Sequence, residues 1–106
     1  MINNKILGLI GLAARARKVC FGADMVEERT NKNKVKLLII AENASDRTKD
    51  KFKKIAERKN VPIIIKGEIE ILSKAIGKSN KAIIGIEDTN LSNEIQKINN
   101  GGEIIG

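Results

Sequence analysis

The sequence predicts an α/β domain, a sheet with helices packed on both of its faces. Three observations carry that reading. The runs VKLLIIA (35–41), VPIII (61–65) and AIIGIE (82–87) are short, rich in β-branched residues and mainly apolar, as strands buried on both faces are. Segments with apolar residues at three- and four-residue spacing lie between them. With 106 residues and 42% hydrophobic content, the chain fits one domain spanning 1–106, large enough to hold its fold without a disulfide or metal.

In chain order, Ile6, Leu9, Ile10 and Ala13 recur at helical spacing and predict a first helix over about 3–15. Val19-Cys20-Phe21 is a very short strand. Met25, Val26 and Arg29 mark a second helix over about 23–30, and NKNK is a turn. The run 35–41 is the next strand. Ser45 is a good N-cap for a helix whose face carries Thr48, Phe52, Ile55, Ala56 and Lys59, and which Asn60 ends. After strand 61–65, Ile69, Leu72 and Ala75 or Ile76 trace a helix closed by Gly77. After strand 82–87, Leu91, Ile95 and Ile98 trace the last helix, and NNGGEIIG (99–106) is a loose tail. The three apolar runs are expected to be central strands; periodicity does not give their order.

Polar residues gather at three junctions, 15–25, 41–46 and 77–81, where layered α/β domains place their binding groups. Arg15 and Lys18 share a face if the first helix persists that far. Gly22 lets the chain turn, and the free N–H groups of the following helix start then face the cations. That is a phosphate cradle. Equally, Arg15, Arg17 and Lys18 at a helix C-terminus need only face water and offset the dipole. Asp24 in the first helical turn has the same two readings: it offsets a dipole, or it accepts from the N–H groups of a guanine edge.

Twenty Lys+Arg against thirteen Asp+Glu give a net charge of +7, which points to a polyanionic partner. A chain rich in Lys, Asn and Ile can also acquire such a charge from genome base composition. No histidine, tryptophan or tyrosine is present, which excludes histidine acid–base catalysis and histidine metal sites. With only Phe21 and Phe52, the stacking platform of single-strand binders is excluded too. The lone Cys20 suits a reducing compartment and reads as a packed core thiol rather than a nucleophile. The apolar part of MINNKILGLIGLAARARK is shorter than the about 20 residues of a membrane span and carries its charge after the apolar run. A soluble cytoplasmic protein is expected.

The segments LGLIGLAARARKVCFGADMV, KLLIIAENAS, LSKAIGKS and AIIGIED, in that order, resemble the kink-turn RNA-binding superfamily of ribosomal proteins (the L-seven-Ae and L-thirty-e group), and most closely its small bacterial members. The match runs over about residues 5–98. The resemblance implies a three-layer α-β-α sandwich with a mixed four-stranded sheet. It also implies binding to a bent helix–internal loop–helix RNA with sheared G·A pairs. In that family a Gly-x-Asn-Glu segment opens the second helix and reads the guanines, and a lysine four residues earlier meets the backbone. Here those positions hold Gly22, Asp24, Met25 and Lys18. Asp24 keeps an acceptor and loses the amide donor; Met25 loses the polar contact. Glu28 stands where many relatives carry lysine, and Lys78 where many carry an apolar residue that caps an unstacked base. Glu42 and Asn43 keep the family's Ala-Glu-Asp/Asn loop, and Ser79 follows Lys78 in the last loop.

The remaining motifs carry less. The helix KDKFKKIAERK reads as a solvated face, with Asp50 and Lys54 as an i,i+4 pair. Glu42 with Asp46, and Glu87 with Asp88, lack further ligands for a metal. Gly8 and Gly11 allow close helix–sheet packing. The sequence therefore predicts a monomeric, non-enzymatic protein that binds structured RNA, ribosomal or other noncoding, through Arg15, Arg17, Lys18, Gly22, Asp24, Met25, Glu42, Asn43, Lys78 and Ser79. No cofactor, metal or membrane is expected. The alternative is a protein–protein adaptor whose RNA surface is altered by Met25, Glu28 and Lys78.

Overall fold

The structure is a computed structural model and describes residues 2–101. Strands and helices alternate: α1 Asn4–Arg15, β1 Val19–Phe21, α2 Ala23–Asn31, β2 Leu37–Ile40, α3 Asp46–Lys59, β3 Ile63–Ile65, α4 Ile69–Ala75, β4 Ile83–Ile86 and α5 Thr89–Asn99. The four strands form one mixed sheet in the order β1-β4-β2-β3; β2 and β3 run parallel, and β4 runs antiparallel to both β1 and β2. Helices α1, α4 and α5 pack together, α2 and α3 pack together, and both α2 and α5 reach β4. All four residues of β2 and all four of β4 are buried, although successive side chains point to opposite faces. Both faces of the sheet are therefore covered.

One expectation fails. The run 61–65 is not a central strand: β3 is an edge, paired only with β2, and its flanking residues Ile63 and Ile65 are half-buried. It is also shorter than expected. The N–H of Val61 closes α3 by donating to Ala56 O at 2.9 Å, and Pro62 has no N–H to give a ladder. The expected tail also begins later, since Asn99 ends α5 and Asn100 is its C-cap; residues 102–106 lie outside the described residues.

Caps explain most helix boundaries. Asn3, Ser45 and Asp88 accept from backbone N–H groups in the first turns of α1, α3 and α5. The helices end alike, each followed by a residue with positive φ: Arg17 (59°), Asn33 (62°), Asn60 (55°), Gly77 (70°) and Gly101 (78°). At four of those ends Asn or Gly fills the left-handed position, as expected. After α1 it is an arginine. There Lys18 N donates to Ala13 O at 2.8 Å and Arg17 N to Ala14 O at 3.1 Å, so the full C-terminal motif forms around a residue that resists it. The left-handed geometry costs a non-glycine residue about 1–2 kcal/mol.

Two smaller expectations change. Gly11 packs α1 against helix α4, where a Cβ would sit 3.3 Å from Ala75 O, while a Cβ on Gly8 would meet nothing. The tight glycine of the sheet is Gly85 in β4: a Cβ there would lie 2.7 Å from Cys20 Sγ and 2.9 Å from Val35 Cγ2. On α3, the ion pair among the described residues is Lys51 to Glu27 of α2 at 2.9 Å, not Asp50 to Lys54. It ties the two helices together instead of decorating one.

Candidate nucleic-acid interface

The sheet register decides which junctions meet. Phe21 pairs with Ile84 and Ile40 with Ile83, so the ends of β1 and β2 lie beside the start of β4. Gly22 N donates to Ile83 O at 3.2 Å, and Ala41 N to Ala82 O at 2.9 Å. The expected loops 22–25, 41–43 and 77–81 therefore open at one end of the sheet, bringing together Gly22, Asp24, Met25, Glu42, Asn43, Lys78 and Ser79.

The cations ahead of β1 are placed differently. Helix α1 ends at Arg15 and the chain turns left-handed at Arg17, so Arg15 and Lys18 share no helical face. Lys18 O accepts from Glu87 N at 2.7 Å, at the opposite end of β1 from Gly22. Three strand residues lie between them, so four rises separate the two Cα atoms, about 13 Å. A single cradle of Arg15, Lys18 and the α2 N-terminus does not form, because the strand between them is extended.

Gly22 sits at φ 87°, ψ 147° as the N-cap of α2, a conformation that favours glycine. Gly22 has no side chain with which to cap this helix start. Asp24 is exposed in its first turn, and Met25 is 49% exposed beside it. The N–H groups of the first turn and the Asp24 carboxylate thus face the same opening.

Loop 77–81 is built on one hydroxyl. Ser73, buried in α4, accepts from Lys81 N at 2.7 Å and donates to Lys81 O at 3.2 Å. Gly77 and Asn80, both at positive φ, bend the chain between. This geometry sets the ammonium groups of Lys78 and Lys81 over the ring of Phe21, 5.3 and 5.4 Å from its centroid. Lys81 and Phe21 escape a sequence reading because their partnership depends on the β1–β4 pairing.

Glu42 and Asn43 face inward with their acceptors. Glu42 Oε2 accepts from Gly67 N at 2.8 Å while Glu42 N donates to Gly67 O at 2.7 Å; Asn43 Oδ1 accepts from Ile69 N at 2.9 Å. Both brace the loop before α3 against the loop before α4. The acidic pairs considered for metal have comparable tasks: Asp88 caps α5, and Glu87 forks to Arg29. No group of three or more His, Cys, Asp or Glu among the described residues could hold a metal ion.

Arg29 donates through Nε to Glu87 Oε2 at 2.9 Å and through Nη2 to Oε1 at 2.5 Å. This fork holds the Glu87 carboxyl below the usual carboxylate range, with burial opposing it. Burial, and then the Glu87 carboxylate, push the Cys20 thiol up to about 12, as befits an inert core thiol. Glu87 is the depressed case, so its stabilisation is present above the ordinary glutamate value of about 4.3 and is lost as pH falls through the lower folded value. Thermal melts between pH 6 and pH 3 are expected to show a steeper acid loss in the parent than in Glu87→Gln. Equal slopes would mean that the fork contributes nothing to acid stability.

Beside the fork lies a hollow of about 410 Å³, lined by Arg17, Val19, Cys20, Phe21, Met25, Arg29 and Glu87. Arg17, unlike Arg15 and Lys18, is thereby brought next to Met25. Among the described residues no helix is long and apolar enough to cross a membrane.

With this geometry in place, the comparisons with known proteins are direct. Residues 4–96 match the model of the ribosomal protein L7Ae/L30e/S12e/Gadd45 family. The chain is 31% identical over 90 residues to RNA-binding protein YlxQ of Bacillus subtilis, covering 82% of this chain and 87% of that one. It is 33% identical over 98 residues to RNA-binding protein YlxQ of Enterococcus faecium, covering 92% and 93%. Among solved structures it is similar to a protein of unknown function from Bacillus halodurans C, with TM-score 0.87, 31% identity and coverage of 91% and 97%. The Giardia lamblia 15.5kD RNA binding protein shares the fold at TM-score 0.77 and 23% identity, covering 100% of this chain and 94% of that one.

Proposed function

This chain belongs to the ribosomal protein L7Ae/L30e/S12e/Gadd45 family, and from that premise we propose that it is a non-enzymatic protein that binds structured RNA. The RNA is a bent helix with sheared G·A pairs, ribosomal or otherwise part of a ribonucleoprotein. The observation that carries the reading is the convergence of three loops at one end of the sheet, around the uncapped start of α2. Lys78 and Lys81 stand at this end with cationic groups for phosphate, and Asp24 with an acceptor for a guanine N–H edge. The names of both YlxQ relatives agree with it. The protein acts as a cytoplasmic monomer without metal or cofactor.

The reading divides the site into two tasks. Phosphate contacts set affinity and salt dependence without reading sequence; base-edge contacts set preference. Lys78, Lys81, Lys18 and Arg15 belong to the first task and Asp24 to the second. Glu42 and Asn43 act by fixing the loop, through their bonds to Gly67 and Ile69, rather than by facing the RNA with free acceptors.

Crosslinking the protein in cells and sequencing what is attached tests this directly. Enrichment of RNAs with tandem G·A pairs in an internal loop is expected. Recovery of a partner protein with no RNA would favour the adaptor built on the same scaffold.

A further inference from the structure

We propose that the hollow at the free edge of β1 receives one unpaired nucleotide of the bound RNA, its phosphate on Arg17 and its base against Met25 and the Arg29–Glu87 fork. The inference rests on the RNA-binding reading above and names a subsite within it.

The first support is the backbone at Arg17. Of the five helix ends among the described residues, four use asparagine or glycine at the left-handed position; at the fifth a cation holds the strained conformation. Such strain gathers where a side chain is needed in a particular place. The strained turn sets Arg17 at the rim of the hollow, beside Met25 and Phe21.

Shape and chemistry are the second support. About 410 Å³ lies within the range of small-ligand sites. Its apolar wall is Val19, Phe21 and the half-exposed thioether of Met25. Its polar wall is the flat fork of Arg29 and Glu87, partly buried and hydrogen-bonded at both oxygens. Unstacked bases in single-stranded RNA are held in this way, stacked on aromatic or guanidinium planes.

The third support is the open main chain. Strand β1 is the last strand of the sheet. The bonds Glu87 N to Lys18 O and Gly22 N to Ile83 O put Lys18, Cys20 and Gly22 on the bonded side of β1. By the alternation of an antiparallel ladder, the N–H and C=O groups of Val19 and Phe21 point away from β4. Both residues line the hollow, and their outward main-chain groups are placed to pair with a base edge.

The test uses the full chain and an RNA with tandem G·A pairs and an internal loop, with 4-thiouridine placed at each unpaired position in turn. One position is expected to crosslink to Val19, Phe21 or Met25, resolved by mass spectrometry within the tryptic peptide 19–29. Removing the base at that position should weaken binding on the order of 10-fold. Arg17→Gly should lower that crosslink and flatten the salt dependence by about 0.7 of a slope unit, the single-strand value for one phosphate. The same variant should melt about 4–8 °C higher, since it relieves the turn. A higher melting temperature with unchanged crosslink and salt slope would overturn the subsite. So would crosslinks confined to 78–81 or to Asp24. A free nucleoside monophosphate that shifts the Met25 methyl resonance at micromolar concentration, with no base-dependent effect in the RNA, would assign the hollow to a free nucleotide instead. If the parent binds the G·A-paired RNA no better than a straight duplex, the functional reading itself fails, independently of the subsite.

Discussion

Gly85→Ala is expected to destabilise the protein by about 2–3 kcal/mol, a fall in melting temperature of roughly 10–20 °C. The added carbon would lie 2.7 Å from Cys20 Sγ and 2.9 Å from Val35 Cγ2, inside van der Waals contact on two sides. Neither neighbour moves away easily. Cys20 pairs with Gly85 across the β1–β4 ladder, and Val35, 2% exposed, is followed by Lys36, whose N–H donates to Ile86 O at 2.7 Å. Removing one of the two clashes gives a sharper result. In a Cys20→Ala background the same substitution should cost measurably less, and the difference is the coupling between the two sites. Thermal or denaturant unfolding of the four proteins checks it. A Gly85→Ala protein within about 0.5 kcal/mol of the parent would show that β1 can shift to make room.

Asp24→Ala is expected to cost about 1–3 kcal/mol on RNA with tandem G·A pairs, taking the scale of one base-edge contact. On RNA lacking those pairs it should change little, or strengthen binding by removing a negative charge near phosphate. Lys18→Ala and Arg15→Ala should behave in the opposite way, weakening bent and straight RNAs alike. Each should flatten the salt dependence by about one slope unit. The structure gives these substitutions a clean background: all three residues are exposed, Lys18 lies at the other end of β1 from the start of α2, and Arg15 lies beside Lys74 and Gly77. Titrating three variants on two RNAs at two salt concentrations separates the roles. If Asp24→Ala binds the G·A-paired RNA as well as the parent does, Asp24 only offsets the dipole of α2.

Much of this fold is legible in the chain because its signals are local. Ser45, Asn60 and Gly77 punctuate helices through their own side chains or their own φ, and the expected boundaries at those residues hold. Strand order is not local, and the run 61–65 shows why it is missed. An edge strand beside a helix layer can be as apolar as a central one, and only the pairing partner tells them apart. The same limit applies to the interface. The convergence of 22–25, 41–43 and 77–81 follows from their common position at strand ends. The separation of Lys18 and Gly22 is not legible in the same way, because the two are close in sequence and the extended β1 holds them apart. The roles of Lys81, Arg29 and Glu87 are hidden in the sequence for the converse reason. Each gains its place from a partner far along the chain, such as the fork spanning 58 positions between Arg29 and Glu87.

The Ser73 hydroxyl, bonded to both main-chain groups of Lys81, has a consequence for how such a protein can diversify. The two ends of the segment 74–80 are joined by an atom that belongs to neither RNA nor loop tip. Side chains at 78 and 79 are exposed and take no part in that closure, so they can be exchanged while the frame that presents them stays shut. Selection, or a designer, can therefore retune what this tip touches one residue at a time, provided Ser73 and the left-handed positions at Gly77 and Asn80 are left alone.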